Sequence, residues 1–297
     1  MTKNANTISE INQQDFSVIF SDTALFYENC QNIFQKYGII SIKNLITPDI
    51  QDKIFNTALY FYKQTANKIN IATPNTNDLT ELDFYVTNLE KVDRQASVQA
   101  QKLISQSSGI LSLTLNNNLM KINSLLLGID KELLLLEGFG GFVPNIPENV
   151  SRLYTYHSEA HWIPLRKKFI NCWAPLFRQK QHKTGTMFVK PYSHKKIHEF
   201  YEYQGFGENG DKDSYTQYET PDSSEFSEVP LLSQPGDIVL FDRNLLHRSE
   251  VNEAANVSYL FVNRFFDISK DLTISANLNI RPYSAEANKL GRRIFGI

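Results

Sequence analysis

From Leu133 onward the chain is written in short runs of β-forming residues, and this change of texture restricts the fold more than any other feature. LLLLEGFGGFV, SRLYTYHSE, FINCWAPLF, GTMFVKP, DIVLFD and VSYLFVNRFF follow one another between residues 133 and 266. β-Branched and aromatic side chains suit a pleated, half-buried surface, so runs of this length between turn residues predict an antiparallel sandwich or barrel. Between the fourth and fifth runs lies YEYQGFGENGDKDSYTQYETPDSSEFSEVP. It is polar, Gly-containing and acidic, and residues 201–229 are expected to form a substrate-responsive loop over the mouth of a site.

The preceding part is of another kind. TALFYENCQNIFQKYG places Leu25, Phe26, Ile33 and Phe34 at helical spacing, and Gly38 supplies a stop. IISIKNL alternates as a short strand, and Thr47-Pro48-Asp49 then opens a second helix, with Thr47 to cap it and Pro48 at its first position. Residues 68–82 read as a loop and roughly 90–127 as a further helix. No Gly/Pro/Ser linker divides the chain, so one domain over 1–297 is expected, with a helical part to 130, a β core over 131–270 and a tail from 271.

Composition removes several function classes. A net charge of −2 and a pI near 6.3 give no general electrostatic reason to bind nucleic acid. Cys30 and Cys172 are far apart and form no CxxC pair, which argues against a disulfide framework or a cysteine zinc site. The N-terminus lacks a basic-then-apolar leader, and no apolar run approaches the roughly 20 residues that cross a bilayer. A cytoplasmic protein without membrane partners is expected, and its oligomeric state is not readable.

In RLYTYHSEAHW, the two-residue period of a strand puts His157 and Glu159 on one face, where an imidazole and a carboxylate can converge on a cation. Alone, an H-x-E on a strand is usually a surface or polar-core pair. A third ligand is offered by QPGDIVLFDRNLLHRSEVN, where Pro235-Gly236-Asp237 turns into an apolar strand ending near His247. Two histidines and one carboxylate with open positions form the facial triad suited to non-haem iron(II). His161, four residues after His157, would suit a zinc hydrolase only on a helix in an H-E-x-x-H motif, and the motif here reads H-S-E-A-H. His194 is read as a structural hydrogen-bonding group.

With HSE at 157–159, WAPL at 173–176, TGTM at 184–187, PYSH at 191–194 and PGDIVLFDRNLLHRS at 235–249, the chain resembles the phytanoyl-CoA dioxygenase-like family of iron(II)/2-oxoglutarate oxygenases. The resemblance extends to Asn252 and to the helix–strand–helix over 22–69. It implies a mainly β fold with α, a double-stranded β-helix (jelly roll, cupin-like) carrying the N-terminal helices. It also implies an enzyme that uses iron(II), 2-oxoglutarate and O2 to hydroxylate or otherwise oxidise a small-molecule metabolite. His157, Glu159 and His247 are then the metal ligands and catalytic centre. Trp173 and Asn171, sharing one strand face, line the cosubstrate pocket, and Ser249 falls at a position near the 2-oxoglutarate carboxylate.

Two departures from the family pattern stand out. Glu159 replaces the commoner aspartate, adding one methylene. Ser258 occupies the position, eleven residues past His247, where the family places the arginine for the distal carboxylate of 2-oxoglutarate. Arg264 is six residues further on the same face, ~20 Å away at about 3.3 Å per residue, so it replaces that arginine only through a bulge or bend. It is the first candidate for the missing cation, with Lys190 and Arg152 behind it. Two other outcomes stay open, namely a noncatalytic binding protein of the same fold and a metal-dependent oxygenase that does not use 2-oxoglutarate. Halogenation is disfavoured, because Glu159 fills the position such enzymes leave for chloride.

Overall fold

The computed structural model describes residues 11–267 apart from 73, 75, 137–140, 150–154, 160–167, 197, 199–200, 205–215 and 220–222. After β1 (Ser17–Ile19) comes α1 (Ala24–Tyr37), opened by the Thr23 hydroxyl, which accepts from the Phe26 N–H at 3.2 Å. Gly38 ends this helix with φ 75°, and a Cβ there would lie 2.2 Å from the His194 ring, so both conformation and space require glycine. β2 (Ile39–Lys43) follows, then α2 (Pro48–Lys68). Pro48 takes the first helical position as expected, but the Thr47 hydroxyl makes no cap; its carbonyl accepts from Ile50 and Gln51 instead.

The loop expected over 68–82 is shorter, because the Asp78 carboxylate accepts from Thr80 and Glu81 N–H groups and starts α3 (Leu79–Val92). The helix expected over 90–127 is broken into α4 (Arg94–Ser105), α5 (Ser108–Thr114) and α6 (Asn117–Leu127). Asp93 and Asn116 direct their side chains onto the next N–H groups, at 2.9 to 3.1 Å, and such local bonds compete with a continuing helix.

The β elements are β3 (Leu134–Leu136), β4 (Gly141–Asn145), β5 (Phe169–Pro175), β6 (Met187–Val189), β7 (Tyr201–Gln204), β8 (Thr216–Glu219), β9 (Val229–Pro230), β10 (Ile238–Asp242), β11 (His247–Ser249) and β12 (Ser258–Asp267). Five of them join β1 and β2 in a seven-stranded sheet in the order β1-β2-β10-β5-β12-β3, with β4 also on β12, and β11-β6-β9 form a small one. The segment expected to be a loop from 201 contains an antiparallel pair, β7 with β8; the residues that would form its tip, 205–215, and residues 220–222 lie outside the described residues.

Strand alternation divides the core in two. Cys172, Ala174, Leu240, Tyr259 and Phe261 face the helices, where they meet Ile54, Tyr62, Tyr85 and Ile122. Trp173, Val239, Phe241 and Leu260 face the small sheet and pack with Met187 and Val189. The large sheet therefore separates a helix-backed core from a second core that packs against the small sheet. Both cysteines are free and buried, and among the described residues no helix is long and apolar enough to cross a membrane.

One polar joint fastens the helices to the sheet. Arg178 donates to both Asp83 carboxylate oxygens (3.0 and 2.8 Å) and to the Val257 carbonyl (2.6 Å), while the Tyr259 hydroxyl donates to Asp83 at 2.8 Å. Burial, then the Asp83 charge, raise the Tyr259 pKa well above its ordinary value. Arg178→Met is expected to lower stability by ~1.5–3 kcal/mol, the usual worth of hydrogen bonds to charged groups. A urea midpoint unchanged from wild type would show that this joint does not hold the layers together.

Candidate metal centre

The site is built where the small sheet meets the segment before β5. His157 and His247 stand opposite each other, each donating its N–H to the other's carbonyl at 3.0 Å. The preceding turn presents its own polar groups to this pair: Ser193 Oγ accepts from the Leu246 N–H at 2.9 Å, and the Lys190 N–H donates to the Leu246 carbonyl at 2.9 Å. On the opposite face, Arg248 grips Glu228 through two nitrogens at 3.1 and 2.7 Å, and the Tyr156 hydroxyl donates to the same carboxylate. The residues flanking both histidines are thus braced together.

The tautomers follow from the hydrogen bonds. A backbone carbonyl only accepts, so His157 Nδ1 donates to Thr155 O (2.8 Å) and His247 Nδ1 to Leu245 O (3.0 Å). Each ring then turns an Nε2 lone pair inward, an arrangement common behind metal-bound histidines. Both Nε2 atoms lie 3.7 Å from one and the same oxygen, Glu159 Oε1. The three ligand atoms all fall within 4.8 Å of one another. Bonds of about 2 Å from imidazole and carboxylate to a first-row dication put neighbouring ligand atoms ~3 Å apart, so less than 2 Å of adjustment closes the set.

The same-face expectation for His157 and Glu159 is met by a different route. Only His157 pairs in a ladder; the chain then turns, and Glu159 swings back beside both histidines. Its second oxygen receives Arg264 Nη2, and Arg264 Nε donates to Asn171 Oδ1 at 3.2 Å. Burial alone would raise the Glu159 pKa, but the Arg264 charge and the two imidazoles override it and hold the carboxyl well below its ordinary range. His247 is pushed the other way, its pKa lowered by burial and by the His157 charge, which favours the neutral ring that can serve as a ligand.

Arg264 arrives without the bulge or bend expected of it. β12 pairs residue for residue with β5 from Leu260 opposite Pro175 to Phe266 opposite Phe169, with Arg264 opposite Asn171. It reaches Glu159 and leaves the level of Ser258 to other groups. Of the other cations considered, Lys190 points its ammonium at the Ser223 carbonyl and hydroxyl (2.6 and 2.7 Å), and Arg152 lies outside the described residues. Trp173 is buried between the sheets, and Ser249 lies on the His247 face of β11, opposite Met187. Asn171 is buried, and its Nδ2 finds no acceptor among the described residues. An orphaned donor on a side chain that shares Arg264 with the Glu159 carboxylate fits a site built to take an acidic ligand. His194 makes the structural contact expected of it, to the Gln35 carbonyl at 3.3 Å, and His161 lies outside the described residues.

Residues 142–257 match the family model of phytanoyl-CoA dioxygenase (PhyH). This part of the chain is phytanoyl-CoA dioxygenase-like. The match encloses His157, Glu159 and His247, and the family it describes is one of non-haem iron, 2-oxoglutarate-dependent enzymes. No curated protein matches the sequence. Among solved structures, the epimerase SnoN in complex with Fe3+, alpha ketoglutarate and nogalamycin RO is similar at a TM-score of 0.56 and 12% identity, over 88% of this chain and 91% of that one. The carbocyclase SnoK from nogalamycin biosynthesis gives 0.52 and 13%, over 93% and 95%. EvdO2 from Micromonospora carbonacea var. aurantiaca, complexed with 2-oxoglutarate, gives 0.50 and 14%, over 84% and 93%. At these identities the likeness establishes the fold, a jelly roll with helices packed on it. The phytanoyl-CoA dioxygenase-like core thus has the fold that the motif order implied.

The burial of Lys180 was not legible in the sequence. It sits among the basic residues of RQKQHK, yet it is 1% exposed. Only the fold reveals that this side chain turns inward.

Proposed function

We propose that His157, Glu159 and His247 hold one iron(II) and that the protein oxidises a small-molecule metabolite at the expense of O2 and 2-oxoglutarate. The observation that carries this reading is the pair of imidazole Nε2 atoms converging on a single Glu159 oxygen at 3.7 Å, each ring locked by its own Nδ1 bond. When bound, iron(II) with 2-oxoglutarate couples the oxidative decarboxylation of the keto acid, to succinate and carbon dioxide, with oxidation of the substrate.

The chain's own residues position the reactants. Glu159 turns one oxygen toward the histidines while Arg264 fixes the other, so the carboxylate is aimed before any ligand arrives. Asn171 Nδ2 donates to an acid group placed beside the triad, and Ser249, on the His247 face, offers a hydroxyl to the same cosubstrate. Trp173, Phe241 and Val239 form a dry wall behind them, which strengthens each of these polar contacts. The Phe241 ring meets His247 edge-on at 4.8 Å between centroids and limits its rotation.

The test is anaerobic loading with iron(II), then exposure to oxygen and 2-oxoglutarate with and without a metabolite library, with succinate measured. Succinate that rises with particular library members supports the assignment and identifies the substrate class. Iron bound at one equivalent with no succinate above background under any condition would contradict it.

A further inference from the structure

At the level of Ser258 the inner wall carries a buried cation from another strand connection. Lys180, between β5 and β6, directs its ammonium to the Thr184 carbonyl (2.8 Å), the Gly185 carbonyl (2.9 Å) and the Ser258 hydroxyl. All three partners are neutral, and among the described residues no carboxylate lies within ion-pair distance of it. Gly185 holds φ 67° and has no room for a Cβ, which would fall 2.2 Å from Asn145 Nδ2, so the carbonyl cradle is fixed by a turn only glycine fits. A lysine buried without a counter-ion is costly, and side chains of this kind are retained where an anion arrives to pair with them.

Resting on the function proposed above, we infer that Lys180 binds the distal carboxylate of 2-oxoglutarate, in place of the arginine that Ser258 lacks. Ser258, Leu260, Val262 and Arg264 alternate onto one face of β12, and Leu260 faces the inner core, so Lys180 and the triad lie along one wall. Val189 stands opposite His247, and Gly185 is four residues earlier, at most about 13 Å along the chain. A metal–carboxylate bond, an extended five-carbon diacid and one hydrogen bond laid end to end cover roughly 11 Å. A monocarboxylic keto acid would leave the ammonium unpaired, so the same lysine selects for the diacid. In support, burial pulls the Lys180 pKa down to about 7, offset only in part by the Glu250 charge, and an arriving dianion would restore the charged form.

The experiment is an anaerobic calorimetric titration of 2-oxoglutarate into the iron(II)-loaded protein, with iron affinity measured separately. Lys180→Met is expected to weaken 2-oxoglutarate ten- to hundredfold, with iron affinity unchanged, and Lys180→Met/Ser258→Arg to recover most of the loss. An unchanged 2-oxoglutarate affinity in Lys180→Met overturns the inference and leaves the proposed function standing, whereas wild type that binds iron but no 2-oxoglutarate defeats the cosubstrate reading itself. If the variant does not fold, wild type decides. Below pH 7 Lys180 is already protonated and affinity is flat; above it, binding must take up a proton, so affinity should fall by up to about tenfold per pH unit. In wild type, 2-oxobutyrate, which lacks the distal carboxylate, is expected to bind the iron-loaded protein at least about tenfold more weakly than 2-oxoglutarate, and equal affinities overturn the inference.

Discussion

Arg264→Leu is expected to destabilise the metal-free protein by ~3–5 kcal/mol, because it strands the Glu159 carboxylate in a site where only 12% of that side chain is exposed. Arg264 also supplies the donor to Asn171 Oδ1, so a second polar group is left without its partner. The sign of the metal effect follows from linkage. Iron(II) gives the stranded carboxylate a new counter-charge, so it offsets part of the damage, and the shift in Tm on adding iron should be larger in the variant than in wild type. Differential scanning calorimetry with and without iron under anaerobic conditions reads both quantities. Equal metal-free Tm values in the two proteins would mean that the Arg264–Glu159 pair does not operate in solution.

His247→Ala should weaken iron(II) by more than about 100-fold and abolish succinate formation. Loss of an outer partner of a metal ligand already lowers affinity by 10–100-fold, and here a ligand itself is removed. Fold stability should change far less than in Arg264→Leu, since His247 leaves no buried charge behind. Its ring does pack against Phe241 and His157, so a modest loss of about 1 kcal/mol is expected from the cavity. Glu159→Asp tests the remaining departure. It shortens the ligand by a methylene to the family's usual aspartate, and if Glu159 reaches the metal only because the turn after His157 sets it back, the shorter acid should bind iron more weakly than wild type. Stronger iron binding by Glu159→Asp would show that the extra methylene is not matched to this backbone.

Local features of this fold were legible in the sequence, and features set by distant contacts were not. β5, β10 and β12 were legible because alternation and β-branched residues are properties of a few neighbours, as was the stop of α1 at Gly38. The three candidate ligands were legible because His157 and Glu159 are close in sequence and His247 ends an apolar strand. The breaks in the helical region were missed because Asp93 and Asn116 are short polar side chains that fit a helix surface or a cap equally well until the packing chooses. The position of Arg264 was missed for a related reason: reaching Glu159 needed the turn after His157, which no periodicity predicts. Lys180 was the least legible. Its inward path depends on Ser258, 78 residues away, and on the Gly185 turn, and a lysine among other basic residues carries no sign of burial. The pairing of β7 with β8 within a polar, acidic segment likewise lacks an apolar pattern to announce it.

The most direct measurement of the central claim is the iron(II) stoichiometry and affinity of wild type beside His157→Ala, Glu159→Ala and His247→Ala, titrated anaerobically. The account predicts one high-affinity iron per chain in wild type and its loss in each variant, with the fold retained by circular dichroism. Unchanged stoichiometry and affinity in all three folded variants would place the metal elsewhere and contradict it.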